Sequence, residues 1–131
     1  MGELSVQSRM AQRGAGKFEQ AIAAFEKAIA LNQKHAWSYA ELAATLVDSD
    51  RRAGGSVGEQ TAHDAEEKLK KAVEIMPRNG IVLKTVGQVY EALNRPQQAI
   101  EFYRRAIAAD EKTNAGLNAD IERLGGTVGK L

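Results

Sequence analysis

Apolar residues recur at three- and four-residue intervals along most of the chain, the spacing of one helical face. From Lys17 to Leu31 the set is Phe18, Ala21, Ile22, Phe25, Ala28 and Ile29. From Ala36 to about Asp50 it is Tyr39, Leu42, Ala43, Leu46 and Val47, after a short polar break at Asn32 to His35. Ala65, Leu69, Ala72, Val73 and Met76 give a third stripe, closed by Pro77 because proline cannot continue a helix without losing a hydrogen bond. Leu83, Val86, Val89 and Tyr90 make a fourth face that stops near Asn94, and Pro96 suits the first turn of a helix holding Ala99 to Ala109. A last helix over 114–124, capped by Thr113 and carrying Leu117, Ile121 and Leu124, is expected to end at Gly125 in a left-handed stop. Gly2 to Arg13 contains no strong breaker and is expected to be helical, although Leu4, Val6 and Met10 do not line up as one stripe.

The stripes themselves repeat. Ala65, Leu69 and Ala72 return 34 positions later as Ala99, Tyr103 and Ala106, a period that marks a stacked array of helix hairpins. Ala21, Phe25 and Ala28 form the same small-large-small set 44 positions before Ala65, so one repeat has taken in ten extra residues. Those residues lie between Leu46 and Ala65, an interval of 19 positions where Tyr90 to Ala99 spans 9. There Asp48 to Arg52 can extend one helix, Gly54 to Gly58 is expected to be loop, and Thr61 with Asp64 can cap an early start of the next.

Leu83-x2-Val86-Gly87-x2-Tyr90 followed by Ala99-x3-Tyr103-x2-Ala106 resembles the tetratricopeptide repeat. Tyr39-x2-Leu42-Ala43-x2-Leu46 with Ala65-x3-Leu69-x2-Ala72 and Pro77 gives a second match, and Gly16, Ala21, Phe25 and Ala28 match in the first repeat. That repeat departs where Ser5, Ser8 and Gln12 stand in place of large apolar residues and Gln33 in place of the proline. The resemblance implies an all-α, right-handed superhelix of about three antiparallel helix pairs, near 3–33, 36–77 and 80–111, within one domain over 1–124. The helix over 114–124 would cap it, the insertion would fall at about 50–60, and 125–131 would be a tail. Each pair has an apolar face that it cannot bury alone, so pairs must stack, with small residues such as Ala43 and Gly87 where backbones approach.

The resemblance also implies that the first helix of each pair lines a concave, partner-binding wall. Its positions here are Trp37, Ala40, Glu41, Ala44 and Val47 in the middle repeat, and Ile81, Lys84, Thr85, Gln88 and Glu91 in the next. Trp37, Val47 and Ile81 would supply apolar anchoring, and Lys84 and Gln88 polar contacts that set register. Family members that grip acidic chaperone tails use a cluster of Lys, Asn and Arg, and this chain places Val6, Met10, Glu41, Ile81 and Thr85 there instead. An acidic chaperone tail is therefore not the expected occupant of the groove.

Composition narrows the remaining chemistry. The 131 residues carry 18 basic and 17 acidic side chains, so no global field draws in nucleic acid or anionic lipid. With no cysteine, disulfides, thiolate catalysis and the commonest zinc sites are excluded. No signal-like or membrane-spanning apolar run is present, which makes a cytoplasmic protein the expectation. Three glycine-rich pieces, at Gly14 to Lys17, Gly54 to Gly58 and Gly125 to Lys130, fail as phosphate loops, because Phe18 and Leu131 follow the lysines where Ser or Thr is required. His35 and His63 have no nucleophile or ligand spacing around them, and Lys27, Lys71 and Arg105 form a basic line on the second helices without the aromatic platforms of an RNA surface. The expectation is a protein without catalytic residues, cofactor or metal that receives a peptide or partner helix. Self-assembly through the degenerate first repeat, or service as the repeat segment of a larger protein, is the alternative.

Overall fold

Every regular element among the described residues is a helix, and the repeat period fixes where the helices begin and end. The computed structural model describes residues 15–126; the expected first helix, and the tail beyond Gly126, lie outside them. The helices are α1 (Ala15–Leu31), α2 (Ala36–Gly54), α3 (Glu59–Ile75), α4 (Gly80–Ala92), α5 (Pro96–Ala109), α6 (Glu111–Asn114) and α7 (Leu117–Arg123). From α1 to α5 each helix packs on the next, α6 and α7 both pack on α5, and α2 also packs on α4, which makes α2–α3 and α4–α5 successive antiparallel pairs of a stack. This is the repeat solenoid expected from the period.

Small residues sit at the crossings. Ala43, Ala65, Ala72, Ala99 and Ala106 are wholly inaccessible to solvent, and Leu69 and Tyr103 fill the space between them. At Gly87 the notch is complete: a Cβ there would lie 2.6 Å from the Tyr103 ring and 3.3 Å from the Ala99 carbonyl oxygen. Tyr103 can therefore lie flat against the α4 backbone. Its hydroxyl donates to Glu91 Oε1 at 2.8 Å, so the largest fully buried side chain is fixed at both ends.

Helix ends follow local chemistry. Asn79 Oδ1 accepts from the N–H groups of Ile81 and Val82, both at 3.0 Å, and caps α4, while Pro96 opens α5 as expected. At the other end of α4, Asn94 takes a left-handed φ of 64°, and the Asn94 and Arg95 N–H groups return to the Glu91 and Tyr90 carbonyls. The same double return closes α7 around Gly125, whose φ of +96° favours glycine.

The ten extra residues divide nearly as expected, with both helices running slightly further into the tip. The helix α2 runs to Gly54 and α3 begins at Glu59, before Thr61, leaving Gly55–Gly58 as the link. Against the next pair, α2 has 19 residues to 13 for α4, α3 has 17 to 14 for α5, and the link has four residues to three. The insertion is thus almost entirely helix, added at the tip. Asp50 Oδ2 accepts from the Gly58 N–H at 2.6 Å and ties the link back to α2.

The expected capping helix is corrected. It is two pieces, α6 and α7, with Gly116 rather than Thr113 at the α7 N-cap. Asn114, the last residue of α6, is buried, and its Nδ2 donates at 3.0 Å to the Ala106 carbonyl, which already accepts from the Asp110 N–H. Holding that contact pins the end of α6 under Gly80, whose Cβ would meet Asn114 Nδ2 at 2.7 Å. Leu117 and Ile121 then cover α5 as the apolar spacing required.

Candidate functional site

A ligand-sized wall arises wherever two first helices lie side by side with their outer faces uncovered. In α2, Trp37, Glu41, Ala44 and Asp48 fall at i, i+4, i+7 and i+11, one face of the helix. Ile81, Thr85, Gln88 and Ala92 repeat the spacing on α4, each 44 positions later. Two parallel rows result, each about 16 Å long at ~1.5 Å per residue. Between them Ala44, Val47, Asp48, Gln88, Val89 and Ala92 line a cavity of about 130 Å³. Beyond Asp48 the α2 row runs into Arg51 and Arg52, which border a wider space of about 570 Å³ with Phe18 and Gly55.

The residues expected on this wall divide into three groups. Trp37 (45% exposed), Ile81 (58%) and Gln88 are open to solvent, and Glu41, Ala44 and Lys84 are partly so. Ala40, Val47 and Thr85 are core residues instead, at 0%, 1% and 8% exposure. The reason is the neighbouring repeat: Ala40 and Val47 occupy the flank of α2 that α4 covers, and Thr85 the flank of α4 that α2 covers. Thr85 satisfies its hydroxyl by donating to the Ile81 carbonyl at 3.1 Å. Val47 is therefore not an anchor open to a partner, although it forms part of the cavity floor. Glu91 is occupied too, because its carboxylate accepts from Tyr103 at 2.8 Å and from Arg123 of α7 at 2.6 Å. It joins the end helix to the stack.

Asp48, Val89 and Ala92 line the cavity and were missed from the sequence. The signal was present in the periodicity, since Asp48 continues the Trp37 row by one more turn and Ala92 is its repeat equivalent. Trp37 combines two roles. Its ring meets the Phe25 ring of α1 edge-on at 5.7 Å and the His35 ring at 6.3 Å, while nearly half its surface stays exposed. Packed on one side and open on the other, it is held in one orientation without being covered.

The wall has an acidic middle. Glu41 is half-buried, and burial, helped by the Asp48 carboxylate, pushes its pKa above the ordinary carboxylate range. Elsewhere carboxylates are paired across repeats. Arg95 donates to Glu66 Oε1 at 2.8 Å and Tyr90 to Glu66 Oε2 at 3.2 Å, holding the Glu66 carboxyl below the usual range. Arg123 and Tyr103 do the same for Glu91. Desolvation, reinforced by Glu66, pushes the Tyr90 hydroxyl up to about 12, so it stays a donor at neutral pH.

Comparison with known proteins agrees with this geometry. The family model for the tetratricopeptide repeat matches residues 10–35 and 85–113, the first repeat's second helix and the α4–α5 pair. Among curated proteins, anaphase-promoting complex subunit 3 of Schizosaccharomyces pombe is 26% identical over 98 residues. That stretch covers 75% of this chain and 13% of the larger protein. The middle pair, lengthened at its tip, is the stretch that the family model passes over.

Proposed function

We propose that this chain, a tetratricopeptide repeat protein, seats a peptide or partner helix in the trough between α2 and α4. Repeats of this family are protein-interaction modules, and the similar yeast protein is by name a subunit of a multiprotein complex. The observation that carries the reading is the pair of rows on α2 and α4, which leaves Trp37 and Ile81 exposed at repeat-equivalent places at one end of the rows and a cavity between them further along. The open face of Trp37 and the exposed Ile81 gain no burial from the fold, whereas apolar side chains desolvated by a ligand are the usual source of affinity. Ala44 and Ala92 leave room for a ligand side chain, Gln88 offers an amide to a ligand backbone, and Lys84 flanks the row. Glu41 and Asp48 disfavour a carboxylate-rich ligand in this trough. The role is that of a noncatalytic scaffold, whose contribution is shape and contact.

The test is Trp37→Ala combined with Ile81→Ala. Neither side chain belongs to the buried core, so helix content by circular dichroism should be kept while capture of the natural partner from its own cell extract is abolished. Capture at the wild-type level by the double variant refutes the assignment.

A further inference from the structure

A second surface lies on the edge of the stack where each second helix turns into the next first helix. Leu31 (78% exposed) and Met76 (42%) lie open to solvent beside these turns. Basic residues recur around them in register. Lys27, Lys71 and Arg105 each stand four residues before the last residue of α1, α3 and α5, and Lys34, Arg78 and Lys112 each stand three residues after it. All six are exposed. They make two rows of cations, one on each side of the helix ends, preserved across spacings of 44 and 34.

Between the second and third repeats the edge opens into a cleft of about 410 Å³. Pro77, Leu83, Ala108 and Ala109 form its apolar lining, and Arg78 and Arg105 stand at its rim, one from each row. Acidic residues nearby are Glu26, Glu74, Asp110 and Glu111; Glu74 lies 3.9 Å from Lys71, and Arg105 pairs with Glu101 at 3.0 Å. Among the described residues, Lys34, Arg78 and Lys112 make no ion pair.

We infer that this edge docks an acidic, amphipathic peptide segment of a partner protein, with an apolar side chain in the cleft and carboxylates on Arg78 and its neighbours. Charge complementarity selects the occupant: cations border an apolar floor, and a carboxylate beside an apolar side chain satisfies both. A concave cleft fits a protruding side chain better than a flat bilayer, and its apolar lining offers a nucleic acid no stacking platform. This surface is separate from the trough, where Glu41 and Asp48 oppose the same ligand.

The test selects random peptides of about twelve residues, displayed on phage, against the full chain, against Arg78→Glu/Lys112→Glu, and against Ala44→Trp, which fills the trough. Circular dichroism checks that both variants keep their helix content. The expected result is a set of peptides with Asp or Glu beside Leu, Ile or Phe, kept by the wild type and by Ala44→Trp. The double charge reversal should weaken their binding about tenfold or more. Equal retention by the charge-reversed variant, or a retained set without acidic enrichment, overturns the inference. So does a set lost only in Ala44→Trp, which would leave the trough as the sole binding surface. Sedimentation with phosphatidylcholine vesicles containing about one-third phosphatidylserine, in the absence of acidic peptide binding, would assign the edge to lipid and overturn it equally.

Discussion

Gly87→Ala sets two well-characterised effects against each other. In a helix interior, Ala is favoured over Gly by about 0.8–1.0 kcal/mol, so propensity alone makes the change stabilising. The added methyl, however, would sit 2.6 Å from Cδ1 and Cε1 of Tyr103. Carbon atoms prefer about 3.5–4.0 Å, so the ring would have to retreat by about 1 Å. It has nowhere to go: Tyr103 is 1% exposed, and its hydroxyl is held by Glu91 at 2.8 Å. Overpacking of this kind costs about 1–3 kcal/mol, which leaves a net loss of about 1 kcal/mol. The preceding repeat supplies the control, because Ala43 stands at the equivalent position and Leu69 at the position of Tyr103. The Cβ of Ala43 is accommodated where the facing side chain is smaller. Urea denaturation of Gly87→Ala, Tyr103→Leu and the double variant completes a double-mutant cycle. We expect Gly87→Ala to lower the midpoint alone and to cost less, or to stabilise, in the Tyr103→Leu background. A higher midpoint in the single variant, or the same cost in both backgrounds, would refute the notch-and-ring account.

Glu66 and Glu91 have lowered pKa values in the folded state, so the stability they supply is present above the unfolded value of about 4.5 and is lost as pH falls through the folded values. Thermal melts from pH 7 to pH 3 should show this loss, and Glu66→Gln should flatten it in part. Glu41 has the opposite sign: its raised pKa means that the ionised form is penalised in the fold, so Glu41→Gln should raise the melting temperature at pH 7 and leave it nearly unchanged below the unfolded value of about 4.5. Asn114→Ala removes a buried donor to the Ala106 carbonyl and should cost about 1 kcal/mol in denaturant titrations, the net worth of one such bond. Asp50→Ala should speed hydrogen exchange at the Gly58 amide, measured by NMR, without altering exchange in α4 and α5, because the bond it breaks is confined to the tip.

The repeat architecture was legible in the chain because small and large side chains alternate at fixed distances, and those distances are set by backbone approach. Ala65, Ala72, Ala99 and Ala106 all proved inaccessible for that reason. The burial of Ala40, Val47 and Thr85 was not legible from one helix. Which flank of a first helix is covered depends on the next repeat, and only the α2–α4 contact shows it. The tip was largely legible, since Asp48 to Arg52 read as a continuation of α2 and Gly54 to Gly58 as loop; the difference is that Gly54 still closes α2, and of the two glycines it is Gly55 that takes a left-handed φ, of 82°. The end of α6 carries a buried polar contact of Asn114, and hydrophobic spacing has no trace of such a bond.

The lengthened α2–α3 hairpin shows where such a protein tolerates growth. An α-helix rotates by about 100° per residue, so one residue inserted within the packed part of a helix would turn its apolar stripe away from the neighbouring hairpin. Residues added at the far tip extend both arms outward and leave the inner turns alike: the links over 32–35 and 76–79 both have four residues. The tip is accordingly the natural place to graft a reporter or a second recognition loop, whereas a single deletion inside a packed helix should misplace every contact beyond it.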